Sequence, residues 1–141
     1  MPKKYIIDTC VWRDFYENRT SSGGKPLGDY ASEMFVRIIR KNRRILFSEA
    51  LAKELGKDYS LEEIYNMLNL LFSCNVLLRI EVSREEYLEA RKLSRERNIP
   101  FIDCLNAVQA RNHGAIIISQ DRHFREKLSD IAETLKPQDV T

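Results

Sequence analysis

The 141-residue sequence contains no long hydrophobic run, so it lacks the pattern of a membrane span, which needs about 18 consecutive apolar residues. Its N-terminus has no signal-peptide pattern either, because Lys3 and Lys4 are followed by only three apolar residues and then by Asp8. We therefore expect a cytoplasmic protein without membrane association.

Cysteine and histidine are scarce, which limits the chemistry that the chain can carry. The three cysteines, Cys10, Cys74 and Cys104, are odd in number and far apart, so neither a disulfide framework nor a zinc knuckle is indicated. We expect all three to be small buried residues in apolar surroundings. The two histidines, His113 and His123, lack partners at metal-ligand spacing and are expected at the surface.

Neither charge sign dominates. The formal net charge is only +2, which neither demands nor excludes a nucleic-acid partner, because such binding depends on where the basic residues cluster. Apolar residues make up 43% of the chain and charged residues 31%, a balance typical of a soluble, folded protein. The length predicts one domain spanning residues 1–141, with a single layered core.

Short apolar runs alternate with stretches of helical periodicity. The predicted strands are residues 5–8, 45–47, 76–82 and 115–119. The predicted helices are residues 15–18, 30–41, 48–57, 60–75, 83–98, 102–112 and 122–128, and a loop rich in Gly and Ser covers 20–28. Ser60 with Glu63, and Ser83 with Glu86, have the capping-box pattern of a helix start. The alternation predicts parallel strands, right-handed crossovers and a layered α/β domain.

Four acidic residues are predicted at one edge of this sheet. Asp8 and Asp121 follow the first and last predicted strands, and Glu54 lies in the helix that leaves the second. Asp103 begins the helix that enters the last strand, so that helix runs antiparallel to the strand and starts at the same edge. Carboxylates in one cleft repel one another by several kcal/mol unless cations neutralise them. The pattern therefore indicates a metal-dependent enzyme.

Three of these acids also have a purely structural interpretation. Asp8 is suited to end a strand, and Asp103 is favoured near a helix start by the helix dipole. Asp121 is suited to cap the helix that begins at Arg122, which is a common use of Asp. It is the convergence of the four acids, and not any one of them, that favours a metal site.

Glu54 has a competitor in Glu49, five residues earlier on a different face of the same helix. Glu54 is favoured because it lies between Leu51 and Leu55, which have core character, and can therefore face the sheet edge. Glu49 shares a face with Lys53 and is suited to the helix start, where a negative charge is favourable.

Four segments carry a resemblance to a known family. Residues 5–9 (YIIDT), 48–55 (SEALAKEL), 103–110 (DCLNAVQA) and 119–124 (SQDRHF) resemble the motifs of the PIN-domain ribonucleases, especially the VapC-type toxins of type II toxin–antitoxin systems, and occur in the same order. The resemblance implies a three-layer α/β/α, Rossmann-like fold around a mainly parallel sheet of four to five strands. It also implies divalent-metal-dependent cleavage of RNA and inhibition by a small antitoxin protein.

The resemblance assigns roles to particular residues. The implied catalytic and metal-binding acids are Asp8, Glu54, Asp103 and Asp121. The hydroxyls of Thr9 and Ser119 are expected near the site. Independently of the resemblance, Arg122 and Arg125 flank the proposed site as basic residues and are expected to contact RNA. Hard oxygen ligands suit Mg²⁺ or Mn²⁺, and a cation-activated water then attacks the phosphodiester without a side-chain nucleophile. The expected products carry 5′-phosphate and 3′-hydroxyl ends.

Some features of the sequence leave alternatives open. Asn106 and Gln109 depart from the apolar pattern of their helix in the family, and we expect them on its exposed side. The apolar excess of residues 60–75 indicates a surface for an antitoxin or for a homodimer. A protein-binding scaffold in RNA processing that keeps the fold without catalysis is the alternative function, although the complete set of acids argues against it.

Overall fold

The structure, a computed structural model, describes residues 3–141. Its centre is a sheet of five parallel strands in the order β3-β2-β1-β4-β5. The strands are β1 (Lys4–Ile7), β2 (Arg44–Phe47), β3 (Leu77–Arg79), β4 (Ile116–Ile118) and β5 (Thr134–Leu135). Because β1 lies between β2 and β4, the chain reverses its direction of winding beside β1, and a ligand cleft is expected at the carboxyl edge there.

Helices cover both faces of the sheet. They are α1 (Thr9–Glu17), α2 (Leu27–Arg40), α3 (Glu49–Leu55), α4 (Leu61–Ser73), α5 (Arg84–Arg97), α6 (Phe101–His113) and α7 (Arg122–Lys127), followed by a short 3-10 helix, Pro137–Asp139. Both predicted capping boxes are formed, at Ser60 and Ser83. Within residues 3–141, no helix has the length and apolarity needed to cross a membrane.

The alternation of side chains along β1 divides the core into two layers. Tyr5 and Ile7 pack with Trp12 and Phe35 on one face of the sheet, whereas Ile6 packs with Leu105 on the other. Successive strand residues point to opposite faces, and each face is covered by helices. The predicted three-layer α/β/α architecture is therefore confirmed.

Asparagine ends most of the longer helices. Asn18, Asn42, Asn75 and Asn98 all have φ between 49° and 57°, and they follow α1, α2, α4 and α5. Gly114, with φ of 64°, ends α6 in the same way. Asparagine tolerates the left-handed conformation better than other residues with a side chain, so these positions stop each helix and turn the chain back toward the sheet.

Several predicted boundaries are wrong. The first helix begins at Thr9 and not at residue 15, and the second begins at Leu27 and not at residue 30, so the loop between them covers residues 18–26 and not 20–28. The third strand has only three residues. Its last residue, Arg79, pairs with Phe47, and β2 ends there, so no strand residue is left to pair with the chain beyond Arg79. The fifth strand has two residues, which is too few to give a periodic signal in the sequence.

Candidate metal centre

Asp8 is a buried carboxylate held by hydrogen-bond donors. It follows β1 directly, is only 2% exposed, and accepts hydrogen bonds from Ser119 Oγ at 2.7 Å and Cys10 Sγ at 3.0 Å. Thr9 Oγ1 lies at 3.5 Å, a long contact. Asp8 occupies the N-cap position of α1, yet its side chain makes no cap hydrogen bond. Capping therefore does not explain why a carboxylate is buried here.

Asp121 approaches Asp8 from the end of β4. Its carboxylate oxygen, an oxygen of Asp8 and Cys10 Sγ all lie within 4.8 Å of one another. Ser119 links the two acids, because its hydroxyl donates to Asp8 and accepts the backbone N–H of Asp121 at 3.0 Å. Asp121 is the N-cap residue of α7 but makes no side-chain cap bond, so its carboxylate is available to a ligand.

Asp103 lies in the first turn of α6 and is 7% exposed. Its Oδ2 is 2.7 Å from His123 Nε2. Burial, followed by the charge of Asp8, raises the pKa of the Asp103 carboxyl, and the contact with His123 partly opposes this rise. The influence of Asp8 and Asp121 on this pKa places Asp103 in the same electrostatic environment as the other two acids.

The electrostatics of the three acids fit a divalent cation. Burial raises the pKa of Asp8, and the neighbouring charge of Asp121 adds to the rise, while the hydrogen bonds from Cys10 and Ser119 oppose it. Desolvated carboxylates that repel one another are stabilised when a cation neutralises them. Their oxygen donors are those that Mg²⁺ and Mn²⁺ prefer, so the donor set suits such an ion.

Glu54, the fourth predicted acid, is separate from this cluster. It is half-buried on α3 and pairs with Lys57 Nζ at 3.0 Å. It lines a surface cavity together with Phe101 and Ile102, the residues that precede Asp103 on α6. Glu49, its competitor, is exposed. Glu54 is therefore oriented toward the α6 side of the site, outside the group formed by Asp8, Cys10 and Asp121.

The sequence profile of the PIN domain matches residues 5–127, which include all four acids. The chain belongs to the PIN domain family. A comparison with curated protein sequences gave no match.

Solved structures share the fold of this PIN domain at low sequence identity. VapBC2 from Rickettsia felis, bound to a DNA fragment from its promoter, is 18% identical with a TM-score of 0.65, covering 94% of this chain and 98% of that one. A toxin–antitoxin complex from Klebsiella pneumoniae is 13% identical, with a TM-score of 0.60 and coverage of 94% and 97%. FitAcB from Neisseria gonorrhoeae is 17% identical, with a TM-score of 0.57 and coverage of 96% and 99%.

In this PIN domain, His123 and Cys10 contact the acids, which the sequence did not predict. His123 was expected at the surface, but it is half-buried and contacts Asp103. Its ring also stacks on Phe124, with centroids 5.1 Å apart. Cys10 was expected to be an apolar core residue, but its thiol donates to Asp8. The only sequence signal for these contacts is position, because His123 lies two residues after Asp121 and Cys10 lies two residues after Asp8.

Two further expectations about burial are wrong. Cys74 is exposed at the end of α4, while Cys104 is buried as expected. Gln109 is not on an exposed face but is 2% exposed, and its Nε2 donates to the backbone oxygen of Glu81 at 3.1 Å. Asn106 is half-buried and lines a narrow cavity with Gln109.

The residues predicted to bind substrate occupy different environments. Ser119 is fully buried and Thr9 is nearly so, and both hydroxyls point at Asp8. Arg122 is exposed at the start of α7. Arg125 is half-buried, with Nη1 3.5 Å from the backbone oxygen of Ser119. The hydroxyls of Ser119 and Thr9 are thus suited to orient Asp8. The two arginines flank the site.

We expect Ser119→Ala to weaken Mn²⁺ binding by about 10- to 100-fold, the usual cost of removing a group that orients a metal ligand. The substitution removes the short hydrogen bond to Asp8 and the acceptor for the Asp121 N–H. Calorimetric titration with Mn²⁺ measures the change. Cys10→Ala, which removes a weaker thiol donor, should have a smaller effect; an equal or larger loss would contradict the role given to Ser119.

Asp14, another buried acid on α1, makes stability depend on pH. Burial raises its pKa to about 6 against the opposing charge of Arg19, and Asp8, Glu17 and Asp121 add smaller increases. The folded protein therefore binds this proton more tightly than the unfolded chain. The resulting stabilisation is complete below about pH 4 and is lost as the pH rises to about 6.

We accordingly expect Asp14→Asn to be more stable than the wild-type protein above pH 7, by on the order of 2 kcal/mol, and to differ little near pH 4. Urea denaturation at both pH values, in chelator, measures the difference. Asp29→Asn, at an exposed position, is the matched control. A stability gain that is the same at both pH values would contradict the assignment to Asp14.

Proposed function

We propose that this protein is a divalent-metal-dependent endoribonuclease that hydrolyses RNA phosphodiester bonds. The observation that carries the proposal is the buried Asp8 carboxylate, an oxygen of which lies within 4.8 Å of an oxygen of Asp121. Burying the Asp8 carboxylate this close to the negative charge of the exposed Asp121 is costly unless a cation is bound. PIN domains are typically nucleases and generally use divalent metals, which supports the same conclusion.

In this proposal Asp8, Asp103 and Asp121 hold Mg²⁺ or Mn²⁺, and Glu54 contributes from the α6 side. Such a cation would supply the Lewis acidity that lowers the pKa of a water molecule and makes it a nucleophile toward the phosphodiester. Ser119 keeps the Asp8 carboxylate in position, and His123 does the same for Asp103.

The substrate-binding part of the proposal rests on groups around these acids. The exposed guanidinium of Arg122 and the half-buried one of Arg125 are positioned to neutralise phosphates beside the acids. The Thr9 hydroxyl, next to Asp8, borders the same site. We propose that Thr9, Arg122 and Arg125 contact the RNA.

We further propose that the protein is the toxin of a toxin–antitoxin pair and acts in the cytoplasm. The support is the fold shared with components of the toxin–antitoxin complexes described above. The apolar surface predicted for residues 60–75 is exposed on α4, at Leu61 (84%), Tyr65 (62%), Leu70 (53%) and Phe72 (43%). Such a surface suits an antitoxin or the homodimer predicted from the sequence.

The test is incubation of the purified protein with structured and unstructured RNAs, with Mg²⁺, Mn²⁺ or chelator, beside the Asp8→Asn variant. We expect cleavage that requires the metal, is lost in the variant and leaves 5′-phosphate and 3′-hydroxyl ends. If the purified protein bound metal but cleaved no RNA, this would argue that it is not an active nuclease on its own. If no metal binds, the protein-binding scaffold becomes the better explanation.

A further inference from the structure

The outer face of α5 combines exposed aromatic and cationic groups. Tyr87 is 44% exposed, and its ring meets Phe101 edge-on, with centroids 5.1 Å apart. The Arg91 guanidinium lies over the Tyr87 ring, 5.8 Å from its centroid. These residues, with Ser94 and Arg95, line one surface cavity.

The arginines of α5 and the adjacent α6 include some that form ion pairs with a carboxylate and some that do not. Arg97 forms two hydrogen bonds with the carboxylate of Asp130, and Arg111 forms two with that of Glu89. Among residues 3–141, by contrast, Arg91 and Arg95 form no ion pair with a carboxylate, and both are exposed. They are therefore available to an anionic ligand, as is Arg84, which is exposed on α5 seven residues before Arg91 and likewise forms no ion pair within residues 3–141.

Phe101 connects this face to the cavity that contains Glu54. It lies two residues before Asp103 and lines both the cavity with Tyr87 and the neighbouring cavity that contains Glu54. The exposed cation of Lys53 borders that second cavity. The two cavities thus join at Phe101 and lead from Arg91 and Arg95, past the aromatic pair, to Glu54.

We propose that Tyr87, Arg91, Arg95 and Phe101 form a binding track for single-stranded RNA that leads to the metal centre. Aromatic side chains stack on bases without reading sequence, and guanidinium groups pair with phosphates. A single strand offers both unstacked bases and phosphates, whereas bases in a duplex are not free to stack. An acidic peptide would use only the arginines and leave the aromatic pair without a role. The inference rests on the proposed function, because RNA is the substrate of that same site.

The test is the affinity of the full-length protein for a short fluorescein-labelled single-stranded RNA in chelator, measured by fluorescence anisotropy at several salt concentrations. The double variant Arg91→Gln and Arg95→Gln should weaken binding by about 10-fold or more and reduce the slope of log affinity against log salt by about 1.4. Tyr87→Ala should weaken binding by about 5- to 100-fold with an unchanged slope, and Tyr87→Phe should bind as the wild type does.

The matched control is the double variant Arg40→Gln and Lys41→Gln, which removes two exposed cations where α2 ends beside the opposite edge of the sheet. It should retain wild-type RNA affinity; a loss equal to that of the α5 variant would show only a general charge effect and overturn the track. Wild-type affinity in folded Tyr87→Ala would overturn it as well. Competition by polyglutamate as effective as that by unlabelled RNA would favour an acidic peptide instead.

Metal binding separates this inference from the proposed function. Each α5 variant should bind Mn²⁺ with wild-type affinity, because none of the substituted residues is among the acids or their hydrogen-bond partners. If the variants retain RNA affinity while the wild type cleaves RNA, only the track is wrong. If RNA binds along α5 but is never cleaved with Mg²⁺ or Mn²⁺, the track stands and the nuclease proposal is wrong.

Discussion

Asp8→Asn is expected to abolish divalent-cation binding and RNA cleavage while the protein remains folded. Asparagine has nearly the shape of aspartate, and its side-chain oxygen still accepts the hydrogen bond from Ser119. The variant loses the negative charge, however, and with it the most buried of the candidate ligands. Removing the ligand itself should cost more than the roughly 100-fold upper range for losing a group that only orients a ligand.

Without metal, the variant should be at least as stable as the wild-type protein. Burial and the charge of Asp121 raise the pKa of Asp8, so its charged form opposes folding at neutral pH. Thermal unfolding with and without Mn²⁺ separates the two effects. Mn²⁺ at 100 times its dissociation constant should stabilise the wild-type protein by about 2.7 kcal/mol and the variant not at all.

The control for Asp8→Asn is Glu133→Gln, which neutralises an exposed acid just before β5, at the opposite edge of the sheet. It should keep wild-type Mn²⁺ affinity and the full stabilisation by Mn²⁺. If a folded Asp8→Asn protein bound Mn²⁺ as tightly as this control, Asp8 would not be a metal ligand.

Trp12→Ala is expected to lower the free energy of unfolding by about 3–5 kcal/mol, the usual range for truncating a large buried aromatic residue. Trp12 on α1 is fully buried, and its ring lies 5.0 Å from that of Phe35 on α2. It fills the space between these helices and the sheet, where the neighbouring chain cannot collapse without distorting β1. Circular dichroism in denaturant is the measurement, because the substitution removes the only tryptophan fluorophore.

Trp12→Phe should cost less than Trp12→Ala for two reasons. The phenyl ring retains much of the packing. The substitution also removes the indole N–H, which has no hydrogen-bond partner within residues 3–141. Tyr65→Ala, at a position 62% exposed, controls for aromatic truncation and should change stability by no more than about 0.5 kcal/mol. A loss below about 1 kcal/mol for Trp12→Ala would contradict its place in the core.

The strongest sequence signals are the short apolar runs that end in aspartate. The run from Tyr5 to Ile7 predicts β1, and the run before Ser119 predicts β4, because short continuous apolar runs between polar segments are typical of buried parallel strands. Chain order and right-handed crossovers then suffice to bring Asp103 to the edge where Asp8 and Asp121 lie. The two-residue β5 gives no such signal, because it is defined by its pairing with β4 and not by its own composition.

The sequence by itself determined the layered α/β fold and the acids at the carboxyl edge, since both follow from local hydrophobic pattern and chain direction. Only the tertiary structure decided which groups hold those acids. Ser119 reaches Asp8 across 111 residues because β1 pairs with β4, and His123 reaches Asp103 across 20 residues because α7 lies beside the start of α6. Such contacts depend on the distance between elements after packing, and no local propensity of the chain encodes that distance.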